Sequence, residues 1–367
     1  MKKTIIWIIA IMAVIAMSFL GIGCKTTTAE TTAAATTAAA TTAALKVGDP
    51  VEIPDTTGMK VGNIGFIPYH FANWFWSQVG AETRSVIEAH GGTQIDMDPK
   101  GDPKTELDQI NSLIGQKVEG IIFTAIDPVA FNDAMDLAKQ AGIVLVCLLD
   151  YPTNAEPLTA IITPSHYNDG YMAGEACVKA LNGKGKVVIF DLPQSKGCLE
   201  RQRGYDDALK TAPGIEILAR EKWGGTGEPS VPSAQNQMEA WLNKFPEIDG
   251  VIPCADDAGV GALAAIQAAG RQDKIKIFSI DGSPAAIDSM KSDQGGFYST
   301  SLLFPKPTAD MAAAIMIQAI NGIQPLSKWT QTKSGLLTID DIKAGKNPDT
   351  IYESFQPFFT VIEQPAG

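Results

Sequence analysis

Three aromatic rings stand side by side at Trp74, Phe75 and Trp76, in a stretch HFANWFWSQ that follows the first apolar run of a folded body and reads as a loop. Core burial is the ordinary fate of such rings. Further along, charged side chains follow other apolar runs: Asp150 and Tyr151 in LLDYP, Arg201 and Arg203 in LPQSKGCLERQRGY, Asp256 and Asp257 in PCADDAG, and Asp281 in SIDGSP. Aromatic faces pack against the C–H faces of a sugar, carboxylates accept from its hydroxyls, and a guanidinium donates to a neighbouring pair. These residue types therefore suit a polyhydroxylated small molecule. An Asp after a strand is by itself most often a helix cap. It is the recurrence of such groups at one kind of position that carries the reading.

Catalysis has less to stand on. The three histidines are His70, His90 and His166, and His90 closes a helix-like segment in EAHGG. His70 and His166 could face a cleft, but no GxSxG serine accompanies them. No GxGxxG opens a helix after a strand. The cysteines beyond Cys24, at 147, 177, 198 and 254, form neither a CxxC pair nor a zinc pattern with His. Cys147 and Cys177 read as core thiols, whereas Cys198 and Cys254 stand near run ends, where a disulfide between them stays open. Two aspartates could serve a glycosidase, but spacing along the chain does not give their separation. The expectation is a binder, not an enzyme, with no cofactor and no metal.

The elements that would position these groups are read from periodicity. Short apolar, β-branched runs (KVGNIGFI, TQIDM, VEGIIFTA, GIVLVCLL, GKVVIFDL, GIEILA, DGVIPCA, KIKIFSI) alternate with helix-period segments. Strand then helix, repeated, is the mark of parallel sheets covered on both faces by helices. Asp102-Pro103, Asp127-Pro128 and Ser283-Pro284 each read as a cap followed by a first-turn proline. The stretch YPTNAEPLTAIITPSHYN reads as an irregular connection between two α/β lobes. In open parallel sheets ligands sit beyond the carboxyl ends of strands, where the aromatic and charged residues fall.

The amino terminus sets the compartment. Residues 1–24 place Lys2 and Lys3 before a long apolar run that ends in GIGC, the layout of an export signal. Cys24 after small residues resembles the bacterial lipobox, with Gly21 where Leu is usual, and so is expected to be lipidated. Residues 25–50, nearly all Thr and Ala at first, offer little to bury and read as a solvated tether. The net charge of −12 argues against nucleic acid as a partner.

In order, NWFW, LLD, ERQRGYDDAL, CADDAGVGALAAIQAAG and IFSIDGSPAAIDSM resemble the ribose-binding class of type I periplasmic binding proteins, over roughly Lys60 to Trp329. The resemblance implies two Rossmann-like lobes with a hinge between them. Residues 51–164 plus 304–330 would form the first lobe and 165–303 plus 331–360 the second. It also implies capture of a monosaccharide or polyol for the permease and ATPase of an ABC importer, by a monomer tethered to the cell envelope and facing the periplasm or extracellular space. The family's binding positions carry over to Asn73, Phe75, Trp76, Asp150, Tyr151, Arg201, Trp223, Asp256 and Asp281. Trp74 is expected to pack against its own lobe.

Two departures bear on the ligand. Tyr151 stands where ribose binders have Arg, and Leu303 where they have Gln. Ribose is thereby disfavoured, and a hexose, another pentose or a polyol stays open, as does a non-sugar such as a nucleoside. A sugar-responsive repressor is excluded by a tether where DNA-binding helices would lie. A lipoprotein that reports occupancy to a membrane sensor remains an alternative to transport. The tail, 336–367, has no counterpart in the resemblance.

Overall fold

The computed structural model describes residues 45–225, 229–292 and 295–364; the expected export signal, Cys24 and the tether up to residue 44 lie outside them. The chain begins with β1 (Pro50–Val51), β2 (Asn63–Ile67), α1 (Trp74–Ala89), β3 (Thr93–Asp96), α2 (Pro103–Gly115), β4 (Gly120–Phe123), α3 (Asn132–Gln140), β5 (Val144–Leu148) and β6 (Ala160–Pro164). It continues through α4 (His166–Ala180), β7 (Lys184–Asp191), α5 (Lys196–Lys210), β8 (Gly214–Lys222), α6 (Val231–Lys244), β9 (Gly250–Pro253), α7 (Asp256–Ala268), β10 (Lys276–Asp281), α8 (Pro284–Lys291) and β11 (Phe297–Leu302). It ends with α9 (Pro305–Ile320), β12 (Trp329–Thr332), β13 (Gly335–Thr338), α10 (Ile339–Lys343), α11 (Pro348–Glu353) and β14 (Phe359–Val361).

Two sheets result, in the order β1-β14-β12-β6-β5-β4-β2-β3 and β13-β11-β10-β9-β7-β8. All neighbours run parallel except at one edge of each, where β14 pairs antiparallel with β12 and β1, and β13 with β11. The central strands β4 and β9 are buried at every residue, as strands covered on both faces must be. This is the α/β architecture expected, with mixed edges added.

Local chemistry explains most helix starts. Asp102 and Ser283 cap α2 and α8 ahead of a first-turn proline. Asp127 does not start a helix: its Oδ1 accepts from the backbone N–H groups of Val129 and Ala130 in a turn, and α3 begins later. Trp74–Trp76 form the first turn of α1 rather than a loop, because the side chain of Asn73 accepts from the N–H of Trp76 and caps the helix. The presumed irregular connection contains β6, which is central to the first sheet. Strand β11 was masked in the sequence by its Ser/Thr content, FYSTSL.

The chain passes between the sheets after β6, after β11, between β12 and β13, and again between α11 and β14. Residues 331–360, assigned from the sequence to the second lobe, therefore serve both sheets. Only β13 pairs in the second, while Phe359–Val361 fills the edge between β1 and β12. The returning tail brings Tyr352, Phe355 and Phe358 onto Phe304 at the second passage, with ring centroids 5.4, 6.2 and 5.3 Å apart.

Within the second lobe, α4 and α5 touch backbone to backbone. A Cβ at Gly170 would lie 1.9 Å from the Arg201 carbonyl oxygen, and one at Gly204 2.1 Å from that of Tyr167. Only glycine permits this approach. It seats Arg201 under the cleft.

Candidate functional site

A cavity of about 340 Å3 lies where the carboxyl ends of β2, β4, β5 and β6 in one sheet face those of β7 through β11 in the other. Its volume is at the small end for ligand sites. Each strand delivers a different group because each ends in a different turn.

From the first lobe come the rings of Phe75 and Trp76, both buried, with centroids 5.4 Å apart and planes at 84°. Trp74 is partly buried and packs against the core of the protein. Asn73 serves twice: its oxygen caps α1, and its Nδ2 donates to Asp257 Oδ2 at 2.9 Å on the opposite lobe. Asp150 follows Leu149, whose φ of 60° is a costly backbone state for a branched residue. That kink turns the Asp150 carboxylate across the cleft, where it accepts from Ser195 Oγ at 2.7 Å and from the N–H of Gly197 at 2.6 Å. Burial raises the Asp150 pKa, while Ser195, Gly197 and Arg201 pull against it.

The second lobe supplies a buried ion pair. Arg201 Nη1 lies 3.1 Å from Asp281 Oδ1 and donates to the Cys254 carbonyl oxygen at 2.6 Å. Burial opposes the guanidinium charge most strongly of any single cause, but Asp281, Cys198, Asp169 and Cys254 together outweigh it and the Arg201 pKa is raised. Burial also pushes the Asp281 carboxyl well up, against the pull of Arg201. Asp281 itself has φ of 133°, a second strained residue at a strand end. Trp223 adds a buried indole, its Nε1 donating to the Ser230 carbonyl oxygen at 3.0 Å.

Of the residues singled out from the sequence, Asn73, Phe75, Trp76, Asp150, Arg201, Trp223 and Asp281 line the cavity together, and so does Leu303. Tyr151 and Asp256 do not. After the Leu149 kink Tyr151 points into its own lobe, its ring 4.9 Å from that of Trp329 at 87°, with Lys196 Nζ 4.2 Å from its centroid. Burial raises its phenol pKa to about 12. Asp256 is 1% exposed and accepts from the N–H of Ser283 at 2.7 Å and from Thr300 Oγ1 at 3.0 Å, which makes it a brace between the starts of α7 and α8. Its neighbour Asp257 faces the cavity instead.

The sequence allows His70 and His166 to face the cleft, and both line the cavity. His166 does so from the first position of α4. Cys198 and Cys254 are free, buried thiols placed to share a hydrogen bond, not a disulfide. Among the described residues no cluster of three His, Cys, Asp or Glu side chains could hold a metal ion, and no helix is long and apolar enough to cross a membrane.

Comparison with known proteins bears on this geometry. A model of the periplasmic binding protein domain matches residues 64–324. A xylitol-binding protein of Mycolicibacterium smegmatis is 31% identical over 218 residues, covering 59% of this chain and 60% of that protein. A D-apiose import binding protein of Paraburkholderia graminis is 30% identical over 242 residues, 65% of this chain and 75% of that one. An ABC transporter solute-binding protein of Bacillus halodurans, solved with bound myo-inositol, superposes with a TM-score of 0.70 at 21% identity, over 79% of this chain and 98% of that one. At that identity the likeness concerns the fold.

Proposed function

The chain belongs to the periplasmic binding protein family, and from that premise we propose that it captures one monosaccharide or polyol between its lobes and hands it to an ABC importer. The observation that carries this reading is the convergence, on one small cavity, of three indole or phenyl rings and a buried Arg201–Asp281 pair. Rings cover the C–H faces of a sugar, while the pair and Asp257 exchange hydrogen bonds with its hydroxyls. Two relatives named for xylitol and D-apiose support the same ligand class.

Binding needs no chemical step. A ligand that touches both lobes stabilises their closed arrangement by the difference between its contacts there and in an open one. Asn73, Phe75 and Trp76 contribute from the first lobe, and Arg201, Trp223, Asp257 and Asp281 from the second, while Asp150 fastens one lobe to the other. The ligand leaves unaltered, and the protein acts as a monomer held at the outer face of the membrane by a lipid on Cys24.

The deciding experiment is a thermal-shift screen of the full-length protein in mild detergent against pentoses, hexoses, polyols, nucleosides and amino acids. A ligand that binds only the folded state raises the melting temperature by mass action. Stabilisation by sugars or polyols, with the ligand recovered intact by mass spectrometry, is expected. Hits confined to nucleosides or amino acids would refute the ligand class. Fatty-acid labelling lost in Cys24→Ala checks the anchor.

A further inference from the structure

His166 stands at the point where β6 leaves the first lobe and α4 begins the second. Its ring is 8% exposed and lines the cavity. Among the described residues no group bonds either Nδ1 or Nε2. Asp150 Oδ1, the nearby carboxylate oxygen, is 4.0 Å from Nε2, beyond hydrogen-bond range. Both oxygens of that carboxylate are already engaged by Ser195 and Gly197.

The ring's place is made for it. A Cβ at residue 197 would lie 2.7 Å from Nε2 of His166 and 2.7 Å from Asp150 Oδ1, so glycine there lets the start of α5 close over both. Burial, reinforced by the charge of Arg201, keeps the imidazole neutral. It then offers one donor and one acceptor. Buried polar atoms without partners are costly, and proteins rarely keep them without a use. A sugar hydroxyl, both donor and acceptor, can meet either nitrogen.

We infer that His166 hydrogen-bonds a hydroxyl of the bound sugar or polyol and so determines which pattern of hydroxyls the cleft accepts. The inference rests on the function proposed above. Asp150, whose carboxylate is occupied, orders the wall, and the histidine beside it reads the ligand.

The test uses the full-length protein with xylitol, D-ribose and myo-inositol, followed by monodeoxy analogues of whichever binds tightest. His166→Phe keeps a ring and loses both nitrogens; His166→Gln keeps a donor and an acceptor. Calorimetry should show His166→Phe weakening the tightest ligand by roughly 10- to 100-fold and His166→Gln recovering much of the loss. For one deoxy analogue, wild type and His166→Phe should bind within about twofold, because the partner hydroxyl is already gone. If His166→Phe keeps the wild-type ratios across all ligands and analogues, the inference fails while the proposed function stands. If wild type binds none of them, the same comparison is made with the tightest sugar or polyol of the thermal-shift screen, and if no sugar or polyol binds there, both fail. Should His166→Phe not fold, the imidazole 15N resonances of wild type decide: they should move on saturation with the tightest ligand, and unmoved resonances overturn the assignment.

Discussion

Asp150 and Asp281 occupy matching places in the two lobes, each at the end of a buried strand and each at a residue pair strained by a positive φ, yet their carboxylates do different work. Asp150 reaches out of its lobe to the start of α5, and Asp281 stays inside its own, held by Arg201 and by the N–H of Asp256 at 3.4 Å. One fastens the lobes to each other. The other keeps a charged hydrogen-bonding surface assembled within one lobe. A carboxylate at a strand end thus has no fixed role in this fold; the helix start it meets decides.

The Asp281 side of the comparison carries the largest expected effect. Arg201→Ala removes the donor and also leaves Asp281 buried without its partner, a change that typically costs 3–5 kcal/mol. The buried pair therefore predicts a loss of stability alongside the loss of binding. Calorimetry should show affinity reduced by about 100-fold or more, and the melting temperature should drop by roughly 10 °C. Adding Asp281→Asn should restore part of the melting temperature and none of the binding. A double variant no more stable than Arg201→Ala would break the account of the pair.

Asp150→Ala tests the other carboxylate. It removes both bonds to the second lobe, so the ligand-free protein should open, with a larger radius of gyration by small-angle scattering. Affinity should fall by roughly tenfold, since closure then costs more. An unchanged scattering profile would show that the Asp150 contacts do not fasten the lobes, and the contrast with Asp281 would collapse.

Much of this arrangement was legible in the sequence. Alternating apolar runs and Gly- or Pro-marked helix ends gave the α/β order, and seven of the nine residues that the family resemblance singled out line the cavity. The failures have local causes. Leu149 takes a left-handed backbone, which reverses the facing of the next residues, so Asp150 enters the cleft and Tyr151 leaves it. Asp256 and Asp257 are adjacent on the first turn of α7, about 100° apart around the axis, and residue type alone does not say which faces inward. Strand β11 is half Ser and Thr, and the fourth passage of the tail depends on edge pairing that no periodicity reports. His166 was legible only as a histidine that could face the cleft, since nothing in the sequence shows that its nitrogens are left without partners.

The Asp256 and Asp257 pair yields a smaller, separable effect. Asp256 has its pKa raised from 3.8 to about 6, mainly by burial, against hydrogen bonds from Ser283 and Thr300. A carboxyl raised in the folded state contributes stability that is complete below 3.8 and is lost as pH rises through about 6. Between those values the melting temperature of wild type should therefore fall relative to that of Asp256→Asn, with little change in affinity. Asp257→Asn should instead weaken binding by roughly fivefold, about 1 kcal/mol, through its contact with Asn73 and the ligand. Interchanged outcomes would mean that the two carboxylates have been assigned to the wrong faces of α7.

Tyr151→Arg should matter least to binding. The family resemblance made this position a reader of ring hydroxyls, so an arginine there would be expected to bring ribose affinity. The structure puts the Tyr151 ring edge-on to Trp329 and under Lys196, away from the cavity. An arginine would face Lys196 across that gap and lose the aromatic contact, so the melting temperature should fall by a few degrees while ribose affinity stays as in wild type. A gain of ribose binding would show that the turn after Leu149 can reverse in solution. Asp150 would then leave Gly197, and the division of work between the two strand-end carboxylates would depend on which ligand the cleft holds.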